Sequence, residues 1–214
     1  MRMTKKYTLQ QPKLPHELPE ETFSISDDPF FKGITIKDCS ITGEEMNRLA
    51  FDQVIFKNVL FEEVVFRDIE LTDVIFTHCD LSNADFSGGI IHRVEFRESK
   101  MLGIDLSEAT LGNVMFTTCH ANLSSFRFAR LKQVLFQECS MDASDFYECA
   151  LKNIQFQQCH LNEATFANAP LNGIDLSTCK FERLNITIND LEGCIVSADQ
   201  AIGFARLLGL RIKE

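Results

Sequence analysis

A large apolar residue recurs at every fifth position of this chain. Within residues 114–166, Phe116, Phe126, Leu131, Phe136, Met141, Phe146, Leu151, Phe156, Leu161 and Phe166 keep step, and only Ala121 is small. Two residues before each sits a small or β-branched residue, such as Val114, Cys119, Ser124, Ala129 and Val134. The register runs from Phe31 to Val196 without an insertion, and all 34 of its positions are apolar. With 45% apolar residues in the chain, chance would give this roughly one time in 10¹². A period of five fits neither a helix at 3.6 nor a plain strand at two, so the chain is a repeat.

A second period shows how the repeat closes. In steps of 20 the small slot separates into classes. Ile34, Val54, Val74, Val94, Val114, Val134, Ile154 and Ile174 are all β-branched; Cys39, Cys79, Cys119, Cys139, Cys159 and Cys179 fall in the next class. The large slot separates too: Phe56, Phe76, Phe96, Phe116, Phe136 and Phe156 form one column. Phe66, Phe86, Phe126, Phe146 and Phe166 form another, broken by Leu106, and Leu71, Ile91, Leu111, Leu131, Leu151, Leu171 and Leu191 a third. Residues 20 apart are therefore stacked neighbours. Five residues make a side and four sides a square coil. The small and large slots point inward, the residue between them outward, and the remaining two turn the corner. The expected fold is all-β, a quadrilateral β-helix of about 8 coils, roughly 40 Å long at the ~4.8 Å strand spacing. The sides are called here the Val side, the Cys side, the acidic side (built on Phe66, Phe86 and Phe146) and the Leu side. Met101 and Met141 flank Ala121 and can flex to fill its gap. Glu44 and Asn189 are polar in inward slots near the two ends, and Gly88–Gly89 is the place for a bulge or loop.

Three segments follow: 1–28 outside the register, 29–196 the repeat, and 197–214 beyond it. Pro12, Pro15 and Pro19 make the first segment extended, and Leu14, Leu18 and Phe23 are expected to fold over the first coil. In the last, Ser197 and Gln200 form a capping box and Gly209 a C-cap. Ala201, Phe204, Ala205 and Leu208 make a face that can lid the last coil. Ile202, Leu207, Leu210 and Ile212 are left over, which predicts a homodimer joined there.

The 214 residues carry a net charge of −10, which argues against simple phosphate binding and so against direct nucleic-acid binding. No long apolar run or secretory leader is read, so a cytoplasmic protein without membrane contact is expected. All eight cysteines occupy the small inward slot, where cysteine acts as a small hydrophobe. His120 and His160 point away from Cys119 and Cys159, so no metal and no cofactor are expected. No nucleophile–base pair, phosphate-binding Gly loop or acid pair in a cleft is legible, and a filled rod offers no obvious pocket. An enzyme is not expected.

The quintets A-D-F-S-G (84–88), A-T-F-A-N (164–168) and C-D-L-S-N (79–83) resemble the pentapeptide-repeat family, whose fold is a right-handed quadrilateral β-helix. The uninterrupted stack and the tail F-E-R-L-N-I…L-E-G…A-D-Q-A-I-G-F-A-R-L-L-G-L (181–210) resemble the Qnr-type fluoroquinolone-resistance proteins of the Gram-positive, enterococcal-like kind. That resemblance implies a C-terminal capping and dimerisation helix. It also implies a DNA-mimicking protein that engages type II topoisomerases, DNA gyrase and topoisomerase IV, and protects them from the drug. The alternative is a pentapeptide scaffold for an unrelated protein partner.

On the acidic side one outward column reads Glu45, Val65, Asp85, Asp105, Ser125, Asp145, and the following corner carries Asp68, Glu108 and Glu148. These carboxylates are the candidate partner-binding residues. Arg48, Arg67 and Arg127 stand against them, while the Leu side carries Arg93, Arg130, Lys132 and Lys152. DNA carries a charge every ~1.7 Å, so roughly 24 over 40 Å, more than twice the net charge of this chain. Phe128, beside Arg127, is a possible apolar contact. Ile55, Ile75, Met115 and Leu135 form an outward apolar column that meets either the N-terminal segment or a partner.

Overall fold

The structure, a computed structural model, describes residues 8–24, 29–205 and 209–211. Residue i pairs in parallel with residue i+20, from Phe30↔Ala50 to Asp175↔Ile195, so that residues 30–195 make about eight turns of a β-solenoid. Short strands β1 (Phe30–Lys32) and β3 (Ala50–Asp52) and longer β2 (Thr35–Thr42) and β4 (Ile55–Glu62) open the stack. β5 (Glu70–Thr77), β6 (Ile90–Arg97), β7 (Thr110–Thr117), β8 (Arg130–Gln137) and β9 (Ala150–Gln157) then wrap the Leu–Val corner. Their register aligns Val74, Val94, Val114, Val134 and Ile154, and Phe76, Phe96, Phe116, Phe136 and Phe156. The Cys and acidic sides are joined by single bridges such as Asp80↔Lys100 and Asp85↔Asp105.

The axis is filled, as the pattern predicts. Both slots are buried through nearly the whole stack. The rings from Phe56 to Phe156 stack at 4.7–5.0 Å with interplanar angles of 5–10°. Phe126, Phe146 and Phe166 repeat this at 4.8 and 4.9 Å, edge-on to the first ladder. Burying each ring stabilises by about 1.5–3 kcal/mol. All eight cysteines are free thiols; six are buried, and Cys39 and Cys194 half-buried. The Sγ of Cys119, Cys139 and Cys159 lie 3.3–3.5 Å from the carbonyls of Phe96, Phe116 and Phe136.

The corners have a backbone rule that the five-residue period does not reveal. The second corner residue is left-handed along the stack: Glu63, Asn83, Leu123 and Glu163 at one corner, Asp68, Glu108, Phe128 and Glu148 at the next. Each has φ between 54° and 60°. Gly88 (φ 71°) fills the same role, and a Cβ there would strike the Asp68 carboxylate. No bulge or loop forms at Gly88–Gly89: Gly88 N–H donates to Ser107 C=O and Ile90 N–H to Ile69 C=O, at 2.8 Å each, in unbroken register.

The N-terminal segment does more than fold over one end. Phe23 stacks on Phe31 at 5.3 Å and covers the first coil. Residues 8–20 then run as a strap along the Leu–Val corner. Thr35 N–H donates to Pro19 C=O (2.8 Å), Gln53 Nε2 to Lys13 C=O (2.9 Å), and Gln133 Nε2 to Thr8 C=O (3.5 Å). Leu9, Pro12, Leu14 and Leu18 are its half-buried residues. Leu14 and Leu18 therefore lie on the side of the rod, and the apolar column Ile55, Ile75, Met115 and Leu135 is half-buried on the Val side beside this strap.

At the C-terminal end the register slips. A 3₁₀ turn at Ile188–Leu191 buries Asp190, whose carboxylate accepts from Thr187 Oγ1 (2.6 Å) and Asn168 N (3.1 Å). Asn189, expected inward, is exposed. Helix α1 (Ala198–Ala205) begins with the predicted capping box, Ser197 N–H to Gln200 Oε1 (2.8 Å) and Gln200 N–H to Ser197 Oγ (3.3 Å). Gln200 Nε2 also donates to Leu176 and Cys179 C=O, 2.9 Å each, closing the last coil. Phe204 packs on Phe181 at 5.7 Å, but Ala201, expected in the lid, is exposed. Gly209 is left-handed, as a C-cap requires. Leu207, Leu208 and Ile212 lie outside the described residues.

Candidate functional site: the acidic side

The outward column stacks as the 20-residue period requires, through bridges Glu45↔Val65, Val65↔Asp85, Asp85↔Asp105, Asp105↔Ser125 and Ser125↔Asp145. Asp68, Glu108 and Glu148 line the adjoining corner, exposed. The two groups thus share one edge of the rod.

The aspartates also serve the fold. Asp85 Oδ1 accepts from Ser87 N–H (3.0 Å) and Oγ (2.6 Å), Asp105 Oδ1 from Ser107 N–H (2.8 Å), and Asp145 Oδ1 from Tyr147 N–H (2.8 Å). These bonds fix the turn into the corner. Each leaves one carboxylate oxygen outward. Arg67 takes it from Asp85 (2.9 Å) and Arg127 from Asp145 (2.7 Å), with Glu45 3.9 Å from Arg67. Asp105, Asp68, Glu108 and Glu148 make no ion pair among the described residues. The side is acidic, but its cations are interleaved rather than segregated.

The Leu side is less basic than its sequence suggests. Arg93 grips Asp73 with two hydrogen bonds of 2.6 and 2.7 Å, and Lys13 N–H adds one of 2.8 Å. Burial pushes the Asp73 carboxyl up, but Arg93 and the strap amide outweigh it and hold it below its ordinary value. Arg93 is therefore part of the strap's anchorage. Arg130, Lys132 and Lys152 remain exposed.

Phe128 is 45% exposed, and its ring meets Tyr147 edge-on at 5.6 Å. The Arg127 guanidinium lies 5.4 Å from the Phe128 ring and 4.7 Å from that of Tyr147. Leu123 (62%) and Leu102 (44%) stand exposed at the opposite corner of the same side.

The family description "Pentapeptide repeat region" matches residues 69–146, and "Pentapeptide repeats (8 copies)" matches residues 144–183. The chain is 44% identical over 206 residues to the uncharacterized protein YisX of Bacillus subtilis (strain 168), covering 95% of this chain and 97% of the relative. The chain belongs to the pentapeptide-repeat family. Among solved pentapeptide-repeat structures it is similar to HetL, involved in heterocyst differentiation regulation in the cyanobacterium Nostoc. Identity is 17% and TM-score 0.44, with 78% of this chain and 89% of HetL covered. It is also similar to trypsin-treated QnrB1, a plasmid-mediated fluoroquinolone resistance protein. There the identity is 15% and the TM-score 0.42, with 84% and 99% covered.

This pentapeptide-repeat chain does carry a groove, where a filled rod was expected to offer no obvious pocket. Pro170 has no N–H to offer Cys149 C=O, as Ala150 offers Ala129 (3.0 Å), and the sheet ends at β9. A cleft of about 760 Å³ opens between residues 151–158 and 172–178, lined by Leu151, Asn153, Gln155, Asn172, Ile174 and Ile195. Among the described residues Asp175 is the one acid in its lining. Among the described residues no three His, Cys, Asp or Glu side chains cluster as metal ligands. No described helix is long and apolar enough to cross a membrane.

Proposed function

We propose that this pentapeptide-repeat scaffold is a cytoplasmic binding protein, not an enzyme, that engages DNA gyrase and topoisomerase IV through its acidic side and shields them from fluoroquinolones. The observation that carries the reading is the aligned column Glu45, Asp85, Asp105 and Asp145 beside Asp68, Glu108 and Glu148. Turns about 4.8 Å apart present these carboxylates as a regular line. The Qnr-like tail in the sequence supports the choice of target. A line of carboxylates suits a groove that otherwise holds phosphates, and its attraction falls with salt. With Asp85 and Asp145 matched to arginines, the side imitates DNA at reduced charge density. Part of the affinity must then come from apolar contact.

α1 is read as the dimer joint. Ile202 and Leu210 are 51% and 57% exposed, and a two-fold patch is the economical way to cover them. Gyrase supercoiling in the presence of ciprofloxacin, with and without the protein, tests the function. Restored supercoiling is expected. Neither protection nor inhibition at micromolar protein would refute it. The second reading, a scaffold for another protein, is favoured by the same arginine interleaving.

A further inference from the structure

The corners of the acidic side hold a feature that neither folding nor charge mimicry explains. The second corner residue is left-handed, a conformation suited to Gly, Asn and Asp. Gly43, Glu63, Asn83, Gly103, Ala143 and Glu163 fill one corner, and Arg48, Asp68, Gly88, Glu108, Glu148 and Asn168 the other. On a single turn both corners instead carry large apolar residues, Leu123 (φ 59°) and Phe128 (φ 60°). Both are exposed, at 62% and 45%. They bear backbone strain and place apolar surface in water without contributing to the core. Leu102 extends the first corner one turn back, and Tyr147 with Arg127 extends the second one turn forward. Carboxylates border the patch on either side: Asp105 and Glu108 on the turn before, and Glu148 with the Arg127-paired Asp145 on the turn after.

We infer that Leu123 and Phe128 are paired anchors for a protein partner whose surface offers apolar pockets rimmed by lysine and arginine. Exposed aromatic and apolar residues inside a charged ring have the layout of an interface hot spot. Charge complementarity selects the occupant. A second copy of this chain would set carboxylate against carboxylate here, and a nucleic acid would set phosphate against carboxylate. A basic protein surface meets both the anchors and their rim. The anchor role deepens the proposed topoisomerase reading and locates its centre on this one turn.

The test uses the full chain and a variant with Leu123→Asn and Phe128→Asn, since asparagine accepts the left-handed backbone. The variant should melt at or above the temperature of the parent and lose about tenfold or more in affinity for purified gyrase. A melting point lower by several degrees would make both residues structural and overturn the inference. Equal affinity of parent and variant would overturn it too while leaving the topoisomerase reading intact. If the parent does not bind gyrase, that reading fails and a random dodecamer phage library decides the anchors. Enriched peptides with an apolar residue among Lys and Arg, lost on the variant, would uphold them. Peptides that the variant retains, or no enrichment, would overturn them.

Discussion

Arg93 and Asp73 lie one turn apart at the Leu–Val corner, joined by two hydrogen bonds, and the strap closes over both through Lys13 N–H. The pair is nearly buried, at 17% and 6% side-chain exposure. Removing one partner leaves a desolvated charge, so Arg93→Ala should cost about 1–3 kcal/mol, below the usual penalty because the strap can lift and admit water. Limited proteolysis within residues 8–24 should accelerate in the variant. Unchanged cleavage would show that the strap is held by its apolar contacts alone.

The same pair sets an acid limit. The Asp73 carboxyl is held below its ordinary value. Its contribution is therefore full above about pH 4 and is lost as pH falls through the lower folded value. Amide hydrogen exchange in residues 8–24 should rise at low pH before exchange in β5–β9 does. Simultaneous loss would contradict the strap as a separate unit.

The thiols set an alkaline limit. Burial pushes Cys79 up to about 11 and Cys149 to about 12. Hydrogen bonding along the ladder, with Cys119 and Cys139 respectively, helps push Cys139 and Cys159 to about 12. A raised folded value means that the stabilising contribution is whole below the unfolded thiol pKa, about 8.5, and is lost as pH rises through the folded values. The melting temperature should fall steeply above about pH 9. Thiol titration should find eight groups after unfolding and little reaction before it. Rapid labelling of most cysteines in the native state would contradict the inward ladder.

The phenylalanine column predicts where a single change hurts most. Phe116 stacks on Phe96 and Phe136 at 4.8 and 4.7 Å and meets Phe126 edge-on at 6.2 Å. Phe116→Ala should cost about 3–5 kcal/mol, read from urea unfolding. A loss under about 1 kcal/mol would mean that the stack collapses onto the gap.

The chain is legible where its packing constraint is periodic. Core residues such as Val114 and Phe116 must repeat at five and at 20, so turn count, inward cysteines and stacked columns are legible without coordinates. The left-handed corner was accessible too. Glu, Gly, Asn and Asp recur there, and Leu123 and Phe128 stand out once the position is known. The strap path was not, because its anchors, Gln53, Asp73 and Gln133, are ordinary polar corner residues whose partners lie 40 to 125 residues away. The groove between residues 151–158 and 172–178 lies where the regular sheet ends after β9, a single event within a repeat. On the acidic side the carboxylates were legible as a column. Their pairing with Arg67 and Arg127 depends on side-chain reach across neighbouring turns, which a linear pattern does not encode.

The proposed dimer joint at α1 has its own test. Sedimentation equilibrium should show a dimer for the intact chain at tens of micromolar and a monomer for Ile202→Asp. A monomeric intact chain would refute the dimer, and a dimeric variant would move the joint elsewhere.

The claim that the acidic side binds type II topoisomerases is tested most directly by neutralising its aspartates without disturbing the turns they hold. Asparagine at Asp85, Asp105 and Asp145 keeps an oxygen for the Ser87, Ser107 and Tyr147 amides and removes the charge together with the exposed ion pairs to Arg67 and Arg127, which are worth little to stability. The affinity of this triple variant for purified DNA gyrase, measured beside the parent across a salt series, is the decisive quantity. The parent should bind with an affinity that falls steeply with salt. The variant should bind at least about tenfold more weakly, with a shallower salt slope and an unchanged melting temperature. Equal binding of both proteins, or none by the parent at micromolar concentration, would contradict the account.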